Sequence, residues 1–301
     1  MKEMKLPNIS NPRLNEFKLN ALRTIKRDSF FNEIITKYNL SDDDIIASAS
    51  KLLKYKEDKA KCSACKGKCN KIPERIQMDL LFDEYTRTFE YEYNTCEYYK
   101  NIMLKRRKFL RMDFPLEYFD YDFVKELTNN DYTKVRADVI YALAKRLKGE
   151  TNKGLFIRGD SRRGKTFITA LFASKYIEKE DKEVVFASSP TLFRDLQDYY
   201  FNDKEAMKNL FDEIKDADLL VLDAFGDEYK SDFVRDTFVY PLLQERAYSN
   251  KITIINSNFT IKEIVSMYNL AKASAPKVRQ LESILLDLVE VVELKGYPYS
   301  L

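Results

Sequence analysis

Histidine and tryptophan are absent from the 301 residues, and glycine is scarce, with only 7. Without His there is no imidazole to serve as general base, metal ligand or partner of a nucleophilic Ser or Cys, so acid–base and metal chemistry fall to Cys, Asp, Glu and Lys. With so few glycines, each one marks a backbone position that needs it. No apolar run approaches the roughly 20 residues that span a bilayer. The start, Met1-Lys2-Glu3-Met4-Lys5, has no apolar signal-peptide core, so the expectation is a soluble, cytoplasmic protein with no membrane partner. A surplus of one charge is missing too: 51 Lys+Arg against 48 Asp+Glu leave +3, too little for a histone-like polycation. What is present, 45% hydrophobic residues over this length, suffices for a sizeable core and about two domains.

Across residues 15–54 apolar side chains recur at helical spacing: Phe17, Leu19, Leu22 and Ile25, then Phe31, Ile34, Ile35 and Tyr38. This predicts packed helices or a partner-docking helical module. Beyond Lys100 a basic, aromatic stretch, opened by Lys105-Arg106-Arg107-Lys108, runs through Met112-Asp113-Phe114-Pro115 to Tyr121, and Pro115 forbids a continuous helix there. Residues 106–130 therefore read as a linker between a domain of residues 1–105 and another of residues 131–301. The second half alternates: strands at 154–158, 183–187, 218–223, 252–256 and 289–294, helices at 165–176, 191–199, 233–248 and 277–286. That order predicts an α/β domain with a parallel sheet between helices, beside a small, mostly helical amino-terminal domain.

The octapeptide Gly159-Asp160-Ser161-Arg162-Arg163-Gly164-Lys165-Thr166 fits G-x-x-x-x-G-K-[ST] directly after a predicted strand, and it opens a predicted helix. Loop amides and the helix N-terminus converge on phosphate oxygens, Lys165 supplies a cation and Thr166 a hydroxyl for Mg²⁺. This loop, with Phe167 behind it, is the candidate ATP/ADP site. The apolar strand Leu219-Leu220-Val221-Leu222-Asp223 ends in an acid at the sheet's carboxyl edge, where open α/β sheets place ligands. Asp223 is a Mg²⁺ holder on this reading and an ordinary turn acid on the plainer one. Hydrolysis also needs a carboxylate to orient water; Ala224 cannot serve, and Asp227 and Glu228 are nearby. Asn256-Ser257-Asn258 brings polar side chains to the same edge, with Asn258 the candidate sensor of a γ-phosphate, although Asn-Ser-Asn is also good turn chemistry.

All four cysteines fall within 35 residues as Cys62-x2-Cys65-x3-Cys69 with Cys96, a spacing whose thiolates converge on one tetrahedral Zn²⁺. Disulfides are disfavoured in a reducing compartment. Four thiolates leave no open position, so this site is structural rather than catalytic. Arg235, Arg246 and Arg279 are candidates to reach a neighbouring subunit's nucleotide. Tyr229, Lys230 and Phe259 are candidate DNA contacts, equally plausible as surface or core.

The Cys pattern with Tyr93-x2-Cys96, the loop from Gly159 to Thr166, Leu222-Asp223-Ala224-Phe225-Gly226-Asp227-Glu228, Val234-Arg235-Asp236 with Leu243-Gln244-Glu245-Arg246, Asn256-Ser257-Asn258-Phe259 and the ending Val292-Glu293-Leu294-Lys295-Gly296 together resemble the bacterial primosomal helicase loaders of the DnaI type, within the wider DnaC-like AAA+ group. The resemblance covers nearly the whole chain. It implies an amino-terminal zinc-stabilised domain that binds the hexameric replicative helicase, and a carboxyl-terminal AAA+ domain that binds ATP and single-stranded DNA, working in an assembly with the helicase and other primosome proteins. It also places Lys165, Asp223, Glu228, Asn258 and Arg279 in the ATPase machinery. The chain departs from the family pattern at Arg162, where a glycine is common, at Ala224, where a second Asp is common, and at Ser283, where the resemblance expects a second arginine after Arg279; the ending Tyr297-Pro298-Tyr299-Ser300 has no arginine. These departures predict ATP binding with weak hydrolysis, so that occupancy more than turnover acts as the switch. The alternatives from other classes are a transposon-type AAA+ DNA-binding regulator, a stand-alone nucleotide hydrolase, and an adaptor that binds no nucleotide.

Overall fold

Helical and strand periodicities meet in the first hundred residues. Helix α1 (Pro12–Arg27) buries Ala21 and Ile25 and ends in Lys26 and Arg27, cations that suit the negative end of a helix dipole. A 3₁₀ turn at Ser29–Phe31, capped by the Asp28 carboxylate on the Phe30 amide at 3.1 Å, leads to α2 (Asn32–Tyr38). Helix α3 (Asp42–Cys65) opens with three acids and a reciprocal bond pair: the Asp44 amide to Ser41 Oγ at 3.2 Å and the Ser41 amide to Asp44 Oδ2 at 2.9 Å. Its buried residues Ile45, Ser48, Ala49 and Leu52 follow the i, i+3, i+4, i+7 rule. Strands β1 (Ile76–Asp83) and β2 (Thr88–Thr95) form an antiparallel hairpin, and Phe89 packs with Phe82, Leu80 and Tyr38 in the core of this unit. The hairpin is an addition to a domain expected to be mostly helical. Its turn has no glycine; Asp83 Oδ1 instead accepts the amides of Tyr85 at 2.8 Å and Thr86 at 3.2 Å, and Arg87 takes φ 54°.

This computed structural model describes residues 12–65, 69–71, 74–128, 130–179, 182–270 and 274–295, so Met1 to Lys5, Gly296 and the ending through Ser300 lie outside the described residues. The chain divides into two compact units, Met1–Asn101 and Ile102–Leu301. Helix α4 (Glu97–Arg106) spans the boundary. The second unit continues with β3 (Phe109–Met112), a 3₁₀ turn at Leu116–Asp120, α5 (Phe123–Thr128), α6 (Asn130–Lys148), β4 (Gly154–Arg158), α7 (Lys165–Tyr176), β5 (Val184–Ser188), α8 (Ser189–Asn202), α9 (Lys204–Asp216), β6 (Leu219–Asp223), α10 (Asp232–Val234), α11 (Tyr240–Tyr248), β7 (Ile252–Ser257), α12 (Ile261–Met267), α13 (Ala275–Leu288) and β8 (Val289–Glu293). Its six strands are all parallel, in the order β3-β5-β6-β7-β4-β8. The expected α/β domain with a parallel sheet between helices is what the chain forms.

Alternation along β6 builds the two layers. Leu220 and Leu222 pack with α8, α11, α12 and α13, while Leu219 and Val221 pack with α6 and α7. The stretch 106–130, read from Pro115 as a linker, lies inside the second unit. Phe109, Phe114, Phe119 and Phe123 are all buried there, and β3 pairs with β5 as the edge strand. Four apolar rings are too much surface to leave in water. The helix expected at 233–248 is interrupted by a π turn at Arg235–Val239, next to Pro241, which has no amide to return to the preceding turn.

Among the described residues three arginines, Arg146, Arg235 and Arg246, are fully buried. Arg246 on α11 donates to Thr253 Oγ1 at 3.0 Å and to the carbonyls of Lys215 at 3.1 Å, Ile252 at 2.5 Å and Ala217, which ties α9 and β7 to α11. Burial pushes its guanidinium down to about 9. Replacing it leaves several buried carbonyls without donors, each costing about 1–3 kcal/mol. Arg246→Ala should therefore destabilise the second unit by about 3 kcal/mol or more, read as a lower urea midpoint; a midpoint within experimental error of wild type would refute this account.

Candidate functional site

The loop after β4 is shaped by two glycines. A Cβ on Gly159 would lie 2.7 Å from the Leu294 carbonyl oxygen, so only glycine lets the end of β8 close on the loop. Gly164 caps α7 in the left-handed region at φ 87°. Arg162 also takes a left-handed φ of 62°, so the conformation that suits a glycine is adopted here by an arginine with an exposed side chain. The Arg163 guanidinium meets Asp160 at 3.1 Å, and Arg136 donates to the Arg163 carbonyl at 3.2 Å, bracing the loop from both sides. Ser161 lies exposed beside them.

Lys165 is buried and its ammonium donates to the carbonyls of Gly159 at 2.5 Å and Asp160 at 2.9 Å and to Asn258 Oδ1 at 2.8 Å. Burial holds it below the usual lysine range, against the pull of the Asp223 charge. Thr166 Oγ1 donates to Asp223 Oδ2 at 2.9 Å. These residues come from β4–α7, β6 and β7, which the parallel register aligns at one edge, with Asp223 beside Ser188 and Ser257 beside Arg158. A cavity of about 390 Å³ opens there, lined by the loop from Ser161 to Phe167 together with Tyr118, Asp223, Ala224 and Asn258. It offers loop and helix amides for phosphate oxygens, one ammonium, and a hydroxyl–carboxylate pair of the oxygen type that suits Mg²⁺.

Asn256, one of the polar triplet but not singled out from the sequence, is fully buried and organises this edge. Its Nδ2 donates to Asp223 Oδ1 at 2.7 Å and to Thr169 Oγ1 at 2.8 Å. Burial raises the Asp223 carboxyl above the ordinary range, opposed by the bonds from Asn256 and Thr166 and by the Lys165 charge. The signal for Asn256 was an amide side chain at the end of the predicted strand 252–256, at the carboxyl edge where open α/β sheets place ligands.

The other sequence candidates lie elsewhere. Glu228 is not a cavity residue: it is buried, accepts the Gly226 amide at 2.7 Å and the Tyr268 hydroxyl at 2.9 Å, and pairs with Lys230 at 3.3 Å. Burial and the Glu228 charge push the Tyr268 phenol well above its usual range. Asp227 is exposed, and its charge reaches Lys165. Arg235 is buried against Asp232, Asp236 and the Tyr268 carbonyl, and Arg246 against backbone carbonyls, so neither extends to a neighbour. Arg279 is exposed on α13. Tyr229 is 78% exposed, Lys230 donates to the Gly226 and Glu228 carbonyls at 2.6 Å, and Phe259 packs on Gly226.

In the first unit Cys62 and Cys65 end α3, and the Cys96 amide bonds the Arg75 carbonyl at 2.8 Å while the Arg75 amide bonds Cys69 Sγ at 3.4 Å. All four thiols are free. Lys71, 2.7 Å from Asp58, approaches Cys62 Sγ at 3.4 Å. Burial raises the Cys62 thiol above its ordinary range, opposed by the hydrogen bond and charge of Lys71. The donor chemistry suits zinc, yet among the described residues no three Cys, Asp or Glu side chains are grouped closely enough to hold a metal, so the expected closed cage is not formed as these residues are placed.

The Glu228 assignment is testable through stability. Tyr268→Phe should cost about 1–3 kcal/mol in urea unfolding, since it leaves a buried carboxylate oxygen short of a donor. A double-mutant cycle with Glu228→Gln should show coupling of at least about 0.5 kcal/mol, and additive effects would mean that the pair is not a unit.

No family model matches the chain. It is 24% identical over 261 residues, 83% of this chain and 81% of the relative, to the replicative helicase loader DnaI of Bacillus subtilis strain 168. The crystal structure of a DnaI superposes with a TM-score of 0.52 at 25% identity, covering 64% of this chain and 98% of that one. A Streptococcus pyogenes serotype M3 protein, solved as a candidate primosome component, superposes with a TM-score of 0.51 at 18% identity over 65% of this chain and 97% of its own, a likeness of fold. In sequence and in fold, this chain is similar to the DnaI replicative helicase loaders.

Proposed function

We propose that this chain is a helicase loader: the second unit binds ATP or ADP with Mg²⁺, and nucleotide occupancy controls how the chain holds a hexameric replicative helicase for delivery onto single-stranded DNA. The observation that carries the reading is the convergence of Lys165, Thr166, Asp223 and Asn258 on one cavity, in a chain similar to DnaI along most of its length. On this reading the amides of residues 159–166 and the Lys165 ammonium hold the phosphates, Thr166 and Asp223 hold the cation, and Asn258 faces the terminal phosphate. The cation neutralises phosphate charge when bound.

Hydrolysis is slow on the same reading. Ala224 has no carboxylate, Glu228 is committed to Gly226 and Tyr268, and the other acids near Lys165 are Asp160, paired with Arg163, and the exposed Asp227. Arg279, exposed on its helix, acts on a neighbouring subunit on this reading; its support is that exposure. The amino-terminal residues 1–105 hold the helicase, with other primosome proteins as further partners, and a structural Zn²⁺ draws Cys62, Cys65, Cys69 and Cys96 together; the support is the clustering of all four cysteines within 35 residues and the likeness to DnaI.

Co-purification of the full chain with a hexameric replicative helicase, with and without ATP, tests the central reading. Retention that changes with ATP is expected, and no retention in either condition, with binding to duplex DNA instead, would overturn it in favour of a DNA-binding regulator. Lys165→Ala should weaken ATP by about 10- to 100-fold, the worth of hydrogen bonds to charged groups, in an equilibrium titration with Mg²⁺; a fast wild-type ATPase rate that Lys165→Ala abolishes would remove the switch-by-occupancy part. Metal analysis should find about one zinc per chain, lost in Cys65→Ser. A wild-type chain purified without chelator and holding no zinc sinks the metal assignment.

A further inference from the structure

We propose that Tyr118 is a nucleotide-contacting residue, its phenol donating a hydrogen bond at the terminal-phosphate and cation end of the bound nucleotide. The inference rests on the nucleotide site proposed above and adds to it a residue from the segment ahead of β4.

Tyr118 lies in the 3₁₀ turn Leu116–Asp120 and lines the same cavity as Lys165, Thr166, Asp223 and Asn258. Its ring is held in place: it meets Phe167 edge-on at 5.1 Å and 89°, and stacks with Phe114 at 6.1 Å and 15°. Phe114 is buried in the core behind it and Phe167 directly follows Thr166. The ring is therefore fixed by the residue next to the cation-binding hydroxyl. Its own hydroxyl has no hydrogen-bond partner among the described residues, although the side chain is half-buried. A phenol hydroxyl on the wall of this cavity, committed to no other group, is available to donate to a ligand oxygen seated there. Burial, and after it the nearby Asp223 charge, raise the Tyr118 pKa, so the group stays protonated beside the anionic end of the site. A neutral donor serves there where a further carboxylate would repel the phosphates.

Tyr118→Phe keeps both ring contacts and removes only the hydroxyl, so the fold is preserved and its melting temperature without nucleotide should match wild type. Titration of the full chain with fluorescent ATP and fluorescent ADP in Mg²⁺, with Lys165→Ala alongside, reads the role. The expected result is a loss of about tenfold in ATP affinity with ADP affinity nearly unchanged. Wild-type ATP affinity in Tyr118→Phe, or equal losses for ATP and ADP, while Lys165→Ala loses binding, overturns the role of the hydroxyl. Wild-type binding of both nucleotides by Lys165→Ala overturns instead the site on which the inference stands.

Discussion

Asp223 is a carboxylate at the end of a buried strand, and much of the second unit is arranged around keeping it there. Taking a carboxylate out of water costs several kcal/mol, and each hydrogen bond to the charge returns about 1.5–3 kcal/mol. Thr166 and Asn256 supply such bonds, and Lys165 adds its charge. They do not close the gap, since the carboxyl titrates above its ordinary range. A raised folded-state pKa means the group favours the fold at acid pH and that contribution is lost as pH rises through the folded value; at neutral pH the ionised carboxylate is a net cost. On the proposed reading, a divalent cation shared with Thr166 would offset that cost.

The same constraint explains what the neighbouring residues cannot do. Immediately after Asp223 the chain turns through Ala224 at φ 54° and Gly226 at φ 101°, and this turn sends Glu228 inward to Gly226 and Tyr268 rather than toward the cavity. Ala224 itself bears the cost of a left-handed backbone, which Asp or Asn would tolerate better, so it is the missing carboxylate rather than strain that sets this position apart. An acid two residues from a turn of this kind is easily mistaken for a catalytic one, because sequence spacing says how far along the chain it lies and not which way the turn faces it.

The α/β half was legible because its signals are local and strong. Leu219 to Leu222 is continuously apolar, as a strand buried on both faces must be, and the phosphate loop has a fixed spacing. The hairpin of the first unit was equally regular, with Phe89, Tyr91 and Tyr93 alternating with Glu90 and Glu92, but its turn relies on Asp83 rather than glycine and so lacks the usual punctuation. Helix α9 went unread although Met207, Leu210, Phe211 and Ile214 keep helical spacing. The arginines were illegible for a different reason. Arg235, Arg246 and Arg279 look alike in sequence, while burial makes two of them internal clamps and leaves the third exposed, and that distinction depends on carbonyls supplied by other elements.

The segment around Pro115 shows how a break in helical pattern can conceal a structural part. Pro115 is extended, with φ −62° and ψ 139°, and starts the short 3₁₀ turn that follows. That geometry lets Phe114 and Phe119 drop into the core on either side while Tyr118 remains at the surface of the cavity. A continuous helix through the same residues would advance about 100° per residue and could not place Phe114 and Phe119 inward with Tyr118 between them facing the loop. The proline that forbids a continuous helix here is thus what brings an aromatic donor to the phosphate loop. With β3 paired to β5 at the sheet edge, the stretch is anchored at its start by backbone bonds and along its length by four buried rings, so Tyr118 is held with little freedom left to lose when a ligand arrives, and a contact made there costs correspondingly little ordering entropy.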